Sequence, residues 1–297
     1  MAQIISGNEV SKQIQAETKV ESEALRSKGV VPGLATVLVG EDPASQVYIG
    51  QKIKTCNKLG IESFHHHLSE KATESEILGL VQKLNNDPKV HGILCQLPLP
   101  KHIDSDKILV AISPNKDVDG FHLMNMGKLL SKKNAREISE SGIYLPCTPH
   151  GIIQLLRRTG IPMAGAEAVI VGRSNIVGKP VALLLMAENA TVTICHTGTK
   201  DLGEVCRRAD ILVAAIGKPK VVTADMVKNG VTVIDVGVNR IGKTPEGKDM
   251  LVGDVDFDGV KEKARAITPV PGGVGPMTIA MLMVNTVKAA RLLSGVK

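Results

Sequence analysis

Short apolar runs alternate with longer amphipathic segments along most of this chain. In the first half, LATVLVG (34–40) predicts a buried strand, while Asp42-Pro43 and Gly60 predict the start and the end of the helix that follows. The alternation continues through IESFHHH, a helix over 73–86, the strand HGILCQLPLP and a short helix over 104–111. Because strands and helices alternate at this interval, we expect a parallel sheet with helices on both faces.

A second alternating run follows a polar, non-periodic stretch at 131–145, which predicts a surface connection leading to a domain boundary. Beyond it, a helix at PHGIIQLLRRTG precedes the strands EAVIVG, ATVTICH, DILVAAIG and VTVIDVG, with a helix after each of the first three. The first of these helices begins near Val177. This pattern is typical of a dinucleotide-binding, doubly wound sheet.

The pattern therefore predicts an α/β protein with two α/β domains. The first domain spans 1–145, and we assign to it the final helix, 276–297, which begins at Pro276. The second domain spans 146–275 and is Rossmann-like. The chain has 297 residues, of which 43% are apolar, and this is enough to fill two cores.

Charge and aromatic content narrow the range of partners. The formal net charge of +6 favours an ordinary soluble protein first, and a protein that binds a polyanionic small ligand second. With 2 Tyr, 3 Phe and no Trp, the chain lacks the aromatic platform that nucleic-acid binding needs. No apolar run approaches membrane-spanning length, so we expect neither a nucleic acid nor a membrane as partner.

The N-terminus and the cysteines indicate the compartment. MAQIISGNEVSKQIQAE lacks the apolar core of a signal peptide and carries acidic residues early. The five cysteines show no CxxC spacing and lie mostly among apolar residues, which favours a reducing compartment, so we expect a cytoplasmic protein. No metal site is predicted, because neighbouring residues of the triplet His65-His66-His67 would face opposite sides of a strand.

A glycine turn marks the candidate dinucleotide site. AVIVGRSNIVGKP places Gly172 at the end of a strand and Gly178 at the start of the next helix. Glycine lets a phosphate approach the backbone closely, and a helix N-terminus offers N–H donors. The spacing is not the usual G-x-G-x-x-G and also fits a simple turn, but its position inside a βαβ pattern favours a dinucleotide.

The next strand end indicates which dinucleotide to expect. An NAD site usually has an acidic residue there, whereas a 2′-phosphate needs cations and hydroxyl groups. In this chain the strand ends TICHTGTK, with His196 and Thr197 where the acid would stand, and Arg173 lies in the glycine turn. We therefore predict NADP. The alternatives are a solvated surface role for Arg173 and a helix-capping role for Thr197.

Two later loops follow apolar strand ends, DVGVNR (235–240) and ITPVPGGVGPMT (267–278). Ligands of open α/β sheets bind at such ends, so we expect both loops to border the cofactor, although buried turns also use glycine and proline. We assign Val238 and Gly275 to the cofactor and Pro271 and Gly272 to the substrate.

Tyr48 and Lys52 stand four residues apart, which puts a phenol and an amine on one face of a helix. Tyr-x-x-x-Lys also occurs in short-chain dehydrogenases, but there the dinucleotide turn precedes the pair. Here Gly172 follows it, so that interpretation fails. The pair instead fits a separate substrate domain that faces the cofactor.

Three further polar residues of the first domain follow strand ends, namely Gln96, Asp117 and Asp119. Together with Lys52 they could converge on one site, with the lysine as acid or base if its pKa is lowered there. Each also has a structural alternative: Lys52 as a solvated helix lysine, Gln96 as a strand-end cap and Asp119 as a turn residue before Gly120.

Eight segments, taken in order, resemble the methylenetetrahydrofolate dehydrogenase/cyclohydrolase family: SQVYIGQK, GILCQLPLP, NKDVDGFH, PCTPHG, VGRSNIVGKP, DVGVNR, VGDV and PVPGGVGPMT. The resemblance runs from about residue 3 to residue 290. It implies oxidation of 5,10-methylenetetrahydrofolate with NADP to the methenyl cation, and hydrolysis of that cation to 10-formyltetrahydrofolate. It also implies that one cleft between the two domains serves both reactions.

The resemblance further implies roles for the substrate-site residues. Lys52 would be the general acid/base of hydrolysis, and Tyr48 would stack on the folate. Gln96 would hydrogen-bond Lys52 and favour its neutral form, while Asp119 would hold the amino and N–H edge of the pterin. Leu97 would join them in binding the substrate.

On the cofactor side, the resemblance implies contacts from Gly172, Arg173, Ser174, Gly178, His196 and Thr197, with Arg173 and Thr197 at the 2′-phosphate. A mitochondrial branch of the family uses NAD with magnesium and phosphate and has a similar turn.

The resemblance also implies a homodimer joined through the cofactor domain and a place in one-carbon metabolism and purine biosynthesis. The alternatives are a dehydrogenase with little or no cyclohydrolase activity and a non-catalytic folate- and dinucleotide-binding protein.

Overall fold

The computed structural model describes residues 2–243, 247 and 249–296. The chain divides into two units. The three-stranded unit consists of Lys12–Lys128, Ile143–Cys147 and Ile279–Lys297, and the six-stranded unit of Met1–Ser11, Leu129–Gly142 and Thr148–Thr278. This division differs from the predicted boundaries mainly at the N-terminus and at 129–142, which group with the six-stranded unit.

Strands and helices are numbered in chain order. The strands are β1 Gln3–Ile4, β2 Gly33–Val39, β3 Glu62–Leu68, β4 Gly92–Cys95, β5 Glu167–Val171, β6 Thr191–Cys195, β7 Ile211–Ala214, β8 Thr232–Asp235, β9 Asn239–Lys243, β10 Asp249–Val252 and β11 Ala266–Ile267. The helices are α1 Gly7–Ser27, α2 Pro43–Leu59, α3 Glu74–Asn86, α4 Ser105–Ala111, α5 Leu123–Leu130, α6 Ala135–Glu140, α7 Cys147–Arg158, α8 Gly178–Ala187, α9 Leu202–Arg207, α10 Phe257–Lys261 and α11 Val274–Ser294.

The three-stranded unit is built on a parallel sheet of order β3-β2-β4. Every residue of the central strand β2 is buried, as its mainly apolar sequence predicts. Helix α2 begins after this strand where the Asp42 carboxylate accepts the Ser45 N–H at 2.8 Å, and it ends at Gly60 with φ +70°. An isolated bridge between Ile93 and Asp117 attaches the 115–120 loop to β4.

The six-stranded unit contains a parallel sheet of order β1-β11-β8-β7-β5-β6. Its core is formed by buried strand residues such as Val169, Leu212 and Val233. The chain runs from β5 to β6 on one side and then returns to β7 on the other. The carboxyl ends of β5 and β7 therefore form the topological switch point at which open α/β sheets bind ligands.

The α/β class and the doubly wound sheet are confirmed, whereas several local predictions were wrong. Part of the supposedly irregular 131–145 stretch is helix α6, which begins where the Asn134 side chain accepts the Glu137 N–H at 3.0 Å. Between β7 and β8 the structure has only a 3-10 turn, Ala224–Met226, because Val222 forms a bridge with Val255. Helix α11 begins at Val274 rather than at Pro276.

Helix α1 and the antiparallel β9–β10 hairpin were not predicted. Apolar periodicity does not reveal α1, because the buried face of this helix includes polar residues. Thr18 and Ser22 are as buried as Ile14 and Leu25, and the Thr18 hydroxyl donates to the Ile14 carbonyl at 2.7 Å. Within the described residues, none of the helices combines the length and the apolar character that crossing a bilayer requires.

Candidate active site and cofactor turn

Tyr48 and Lys52 lie one turn apart on α2, as their spacing predicts. The Tyr48 ring is partly buried, and burial raises the pKa of its phenol. Lys52 is only 7% exposed, which is rare for a lysine. Burial lowers the pKa of its amine, because a charged ammonium loses hydration there. The structural alternative of a solvated helix lysine is therefore wrong.

The Lys52 amine is held by a fixed amide. Its Nζ donates to Gln96 Oε1 at 2.8 Å, and Gln96 Nε2 donates to the Leu97 carbonyl at 2.7 Å. The second bond orients the amide so that its oxygen faces the lysine. An amide oxygen accepts this bond without adding the negative charge that would stabilise the ammonium. The Lys52 amine can therefore become neutral while it keeps its partner.

Asp119 supplies the negative charge of this group. Its carboxylate opposes the effect of burial on Lys52, and burial raises its own pKa to about 6 even though Lys52 lowers it. At neutral pH Asp119 is thus largely ionised and can accept hydrogen bonds. The structure brings Lys52, Gln96 and Asp119 together, while Leu97 holds Gln96 through its backbone carbonyl.

Cys147 and Asp117 complete the surroundings of Asp119. The Cys147 thiol donates to the Val118 carbonyl at 3.3 Å, and burial and the nearby Asp119 carboxylate raise its pKa well above the usual value. We did not single out Cys147 from the sequence, although it stands in the PCTPHG segment. Asp117 does not face the amine; its carboxylate accepts the N–H groups of Gly120 and His122, at 3.1 and 2.9 Å, and shapes the turn that carries Asp119.

The glycine turn of the six-stranded unit lies between β5 and α8. Gly172 has φ +134°, and a Cβ there would lie 2.1 Å from the Ala215 carbonyl oxygen. A Cβ on Gly178 would lie 2.2 Å from the Gly172 carbonyl oxygen. Ser174 Oγ accepts the N–H groups of Val177 and Gly178 at 3.1 and 3.2 Å. Both glycines are therefore required for this close-packed turn.

The turn offers donors that suit a phosphate. In the described part of the chain, the backbone N–H groups of 173–176 make no hydrogen bond, and Arg173 is exposed beside them. They precede the N-terminus of α8, where a helix dipole favours an anion. The residues present thus fit the diphosphate of a dinucleotide.

Arg173, His196 and Thr197 follow neighbouring strand ends. Strands β5 and β6 pair through Val171 and Cys195, and Gly172 N donates to the Cys195 carbonyl at 2.9 Å. Gly198 N donates to His196 Nδ1 at 3.0 Å, so a neutral His196 carries its proton on Nε2. Thr197 is exposed, and its hydroxyl does not cap a helix in the described residues.

The remaining predicted residues also lie in the six-stranded unit. Val238 is 46% exposed in the loop after β8. Pro271 and Gly272 stand between β11 and α11, where Gly272 has φ +100° and its carbonyl accepts the Asn8 N–H at 3.1 Å. Gly275 lies in the first turn of α11 with open space where a Cβ would be.

Comparison with known proteins identifies the family. The profile "Tetrahydrofolate dehydrogenase/cyclohydrolase, catalytic domain" matches residues 5–119, and "Tetrahydrofolate dehydrogenase/cyclohydrolase, NAD(P)-binding domain" matches 146–293. The chain belongs to the tetrahydrofolate dehydrogenase/cyclohydrolase family. A curated relative, the bifunctional protein FolD of Syntrophus aciditrophicus, is 58% identical over 98% of both chains.

Solved structures agree with this family assignment. A FolD methylenetetrahydrofolate dehydrogenase/cyclohydrolase from Campylobacter jejuni is 48% identical, with a TM-score of 0.90 over 98% of this chain and 99% of that one. The Trypanosoma brucei dehydrogenase-cyclohydrolase, complexed with NADP cofactor and inhibitor, is 38% identical, with a TM-score of 0.92 over 100% and 99%.

The family assignment confirms the expected resemblance, the predicted fold class and the two activities of a dehydrogenase/cyclohydrolase that uses a nicotinamide dinucleotide.

Two histidines of the His65-His66-His67 triplet in β3 lie beside protein oxygen atoms. His65 Nδ1 lies 3.0 Å from Thr36 Oγ1, and His67 Nε2 lies 2.9 Å from the Gly40 carbonyl. Among the described residues, no three His, Cys, Asp or Glu side chains are grouped to hold a metal ion.

Proposed function

We propose that this enzyme oxidises 5,10-methylenetetrahydrofolate to the 5,10-methenyl cation with NADP and hydrolyses the cation to 10-formyltetrahydrofolate. Lys52 acts as general acid and base of the hydrolysis, supported by Gln96. Tyr48 stacks on the folate, and Asp119 accepts hydrogen bonds from its pterin edge. The single observation that carries this proposal is the buried Lys52–Gln96 pair, with 2.8 Å between amine and amide oxygen.

Hydrolysis needs a group that accepts a proton from the attacking water. A lysine in water is protonated at neutral pH and cannot do this. Burial lowers the pKa of Lys52, and Gln96 adds no charge that would reverse this effect. Asp119 partly opposes it, which keeps the amine basic enough to take the proton. Cys147 is an unsuitable base because burial and Asp119 hold its thiol protonated.

Oxidation places different demands on the chain. The hydride leaves a carbon between two nitrogen atoms, whose lone pairs stabilise the resulting cation, so the protein needs alignment rather than a strong base. When bound, the oxidised nicotinamide accepts this hydride. We propose that Tyr48, Leu97, Pro271 and Gly272 align the folate, and that Val238 and Gly275 contact the dinucleotide.

The choice of NADP over NAD depends on the ends of β5 and β6. Arg173 provides a cation and Thr197 an exposed hydroxyl just beyond two paired strands, and His196 presents an Nε2–H donor. These groups suit a 2′-phosphate better than the two hydroxyl groups of an NAD ribose. The turn formed by Gly172, Ser174 and Gly178 suits the diphosphate.

We also propose the physiological setting. Family resemblance supports a homodimer joined through the cofactor domain and a role in the one-carbon metabolism that feeds purine biosynthesis. Buried free cysteines, with no disulfide among the described residues, are compatible with the reducing cytoplasm. The sparse aromatic content argues against nucleic acid as a partner.

An absorbance time course tests the proposed function. Purified protein is mixed with 5,10-methylenetetrahydrofolate and either NADP or NAD, and the reduced nicotinamide and the methenyl species are followed separately. We expect reduction with NADP, slower reduction with NAD, and little methenyl accumulation. Methenyl accumulating as fast as the nicotinamide is reduced would contradict the hydrolysis, and no reduction with either dinucleotide would contradict the whole proposal.

A further inference from the structure

Asp254 lies between β10 and α10 and is completely buried in the six-stranded unit. Its Oδ2 accepts the backbone N–H groups of Ile216 and Gly217 at 2.5 and 2.9 Å. Its Oδ1 accepts the Lys218 N–H at 3.1 Å and the Asn239 side-chain amide at 2.9 Å. One carboxylate therefore holds three consecutive residues of the loop after β7 and Asn239, the first residue of β9, where the loop after β8 ends.

A second buried carboxylate, Asp235, holds the first one in place. Asp235 Oδ1 accepts the N–H groups of Gly237 and Asp254, both at 2.9 Å, and its Oδ2 accepts the Val255 N–H at 3.0 Å. These bonds fix the backbone on both sides of the Asp254 side chain. The negative charge is tolerated because backbone donors surround it, although burial still raises the pKa of Asp235 to about 6.

Two glycines are explained by this pair of carboxylates. A Cβ on Gly253 would lie 1.7 Å from Asp235 Oδ2, and a Cβ on Gly237 would lie 2.1 Å from Asp254 Oδ1. Asp235 thus packs against Gly253, the residue before Asp254, and Asp254 packs against Gly237, two residues after Asp235. The DVGVNR and VGDV segments, which are separate in the sequence, form one interlocked structure.

The loop 215–218, which Asp254 holds, borders the glycine turn. Ala215 N donates to the Val171 carbonyl at 2.8 Å, and the Ala215 carbonyl is the group that leaves no room for a Cβ on Gly172. Residues 215–218 follow β7 directly, at the switch point between β5 and β7. The other loop carries Val238, next to Asn239. Both loops therefore lie where a dinucleotide is expected.

We propose that Asp254, braced by Asp235, is a positioning residue for dinucleotide binding: it holds the loop 215–218 directly, and the loop 236–238 through Asn239, in the shape that receives the cofactor. The inference rests on the proposed function of the six-stranded unit. It assigns Asp254 no contact with the cofactor and no proton transfer. Its effect is on affinity, because loops that are already ordered lose less conformational entropy on binding.

An amide cannot replace this carboxylate. Each oxygen of Asp254 meets two N–H donors, so either orientation of an asparagine would point its NH₂ group at two donors. Asp254→Asn keeps the size of the side chain but replaces one of the two accepting oxygen atoms with an NH₂ group, which cannot accept a hydrogen bond. The variant is therefore a close test of hydrogen bonding rather than of packing.

The experiment measures NADP affinity by calorimetry, together with amide hydrogen exchange of the cofactor-free protein. We expect Asp254→Asn to raise the Kd for NADP at least tenfold and to speed exchange at 216–218, while the amides of β5 and β7 keep their protection. Hydrolysis of supplied methenyltetrahydrofolate should stay within about twofold of wild type.

Asp210→Asn is the matched control and should leave the NADP affinity unchanged. Asp210 also accepts a backbone N–H, from Glu167 at 2.8 Å, but this bond lies at the amino end of β5.

Two results would overturn the inference. One is an unchanged NADP affinity in Asp254→Asn; the other is a loss of exchange protection throughout the sheet, which would mark Asp254 as a general stability residue. If Asp254→Asn does not fold, Asn239→Ala decides instead, because it removes one bond to the carboxylate and should still raise the Kd several-fold. A wild-type protein that fails to bind NADP would contradict the proposed function itself.

Discussion

Lys52 and Gln96 form a buried pair in which the amine donates to Oε1 at 2.8 Å, and the other end of the amide is fixed by the Leu97 carbonyl at 2.7 Å. The lysine comes from a helix and the glutamine from the end of strand β4. Lys52, whose pKa is lowered by burial, thus has one neutral hydrogen-bond partner, Gln96, and one nearby negative charge, Asp119. This balance of charge decides how basic the amine is.

The first prediction concerns the charge of the partner. Gln96→Glu places a carboxylate beside Lys52, and this stabilises the ammonium and raises its pKa. It also removes the donor to the Leu97 carbonyl. We expect cyclohydrolase activity at pH 7 to fall at least tenfold and to recover as the pH rises toward 9, while dehydrogenase activity falls much less. The measurement is the pH profile of methenyl hydrolysis, corrected for the uncatalysed reaction.

Gln51→Glu is the matched control for this substitution. It makes the same chemical change at an exposed position of α2, next to Lys52 in sequence. Its pH profile should overlay that of wild type. A Gln96→Glu enzyme with a wild-type profile would show that the partner's charge does not set the basicity of Lys52.

The second prediction concerns the cofactor turn. Gly178→Ala would bring a Cβ to 2.2 Å from the Gly172 carbonyl oxygen, so the turn must open. We expect the Kd for NADP, measured by calorimetry, to rise at least tenfold while methenyl hydrolysis is retained. Gly79→Ala, on α3 with open space around its Cβ, should leave the affinity unchanged and stabilise the protein by about 0.5–1 kcal/mol. Unaltered NADP binding in Gly178→Ala would exclude this turn as the diphosphate site.

The third prediction concerns stability and pH. Burial raises the pKa of Asp119 to about 6, from an ordinary value of 3.8, so between these values the folded protein binds more protons than the unfolded chain. Asp119 therefore makes the wild type less stable as the pH rises from about 4 to 6.

The Asp119→Asn variant tests this effect, because its side-chain amide does not titrate. We expect the stability of this variant relative to wild type to improve by about 2 kcal/mol between pH 4 and pH 7, from urea unfolding. A difference that does not change with pH would contradict the raised pKa.

Much of the site could be predicted because its residues stand at positions that local patterns mark. Lys52 and Tyr48 share a helical spacing, Gln96 follows an apolar strand, and Gly172 ends another. Such features depend on chain neighbours and on the rule that parallel strands gather their carboxyl ends.

The unpredicted parts depend on contacts between distant segments. Cys147 resembles a packing residue in sequence, and only the fold brings it to Asp119. Asp254 follows a glycine in an ordinary loop, yet its four donors come from 216–218 and Asn239. Helix α1 was missed because its buried face uses Thr18 and Ser22 where apolar residues would have revealed the periodicity.

The most direct test of the central claim is Lys52→Met, assayed for both reactions in one preparation. Methionine fills the buried space without a charge, so the protein should fold and bind NADP like wild type. We expect methylenetetrahydrofolate oxidation to persist, with methenyltetrahydrofolate accumulating because its hydrolysis has fallen at least a hundredfold. Enzymatic hydrolysis at the wild-type rate in the folded variant would contradict the assignment of Lys52 as the acid and base of the reaction.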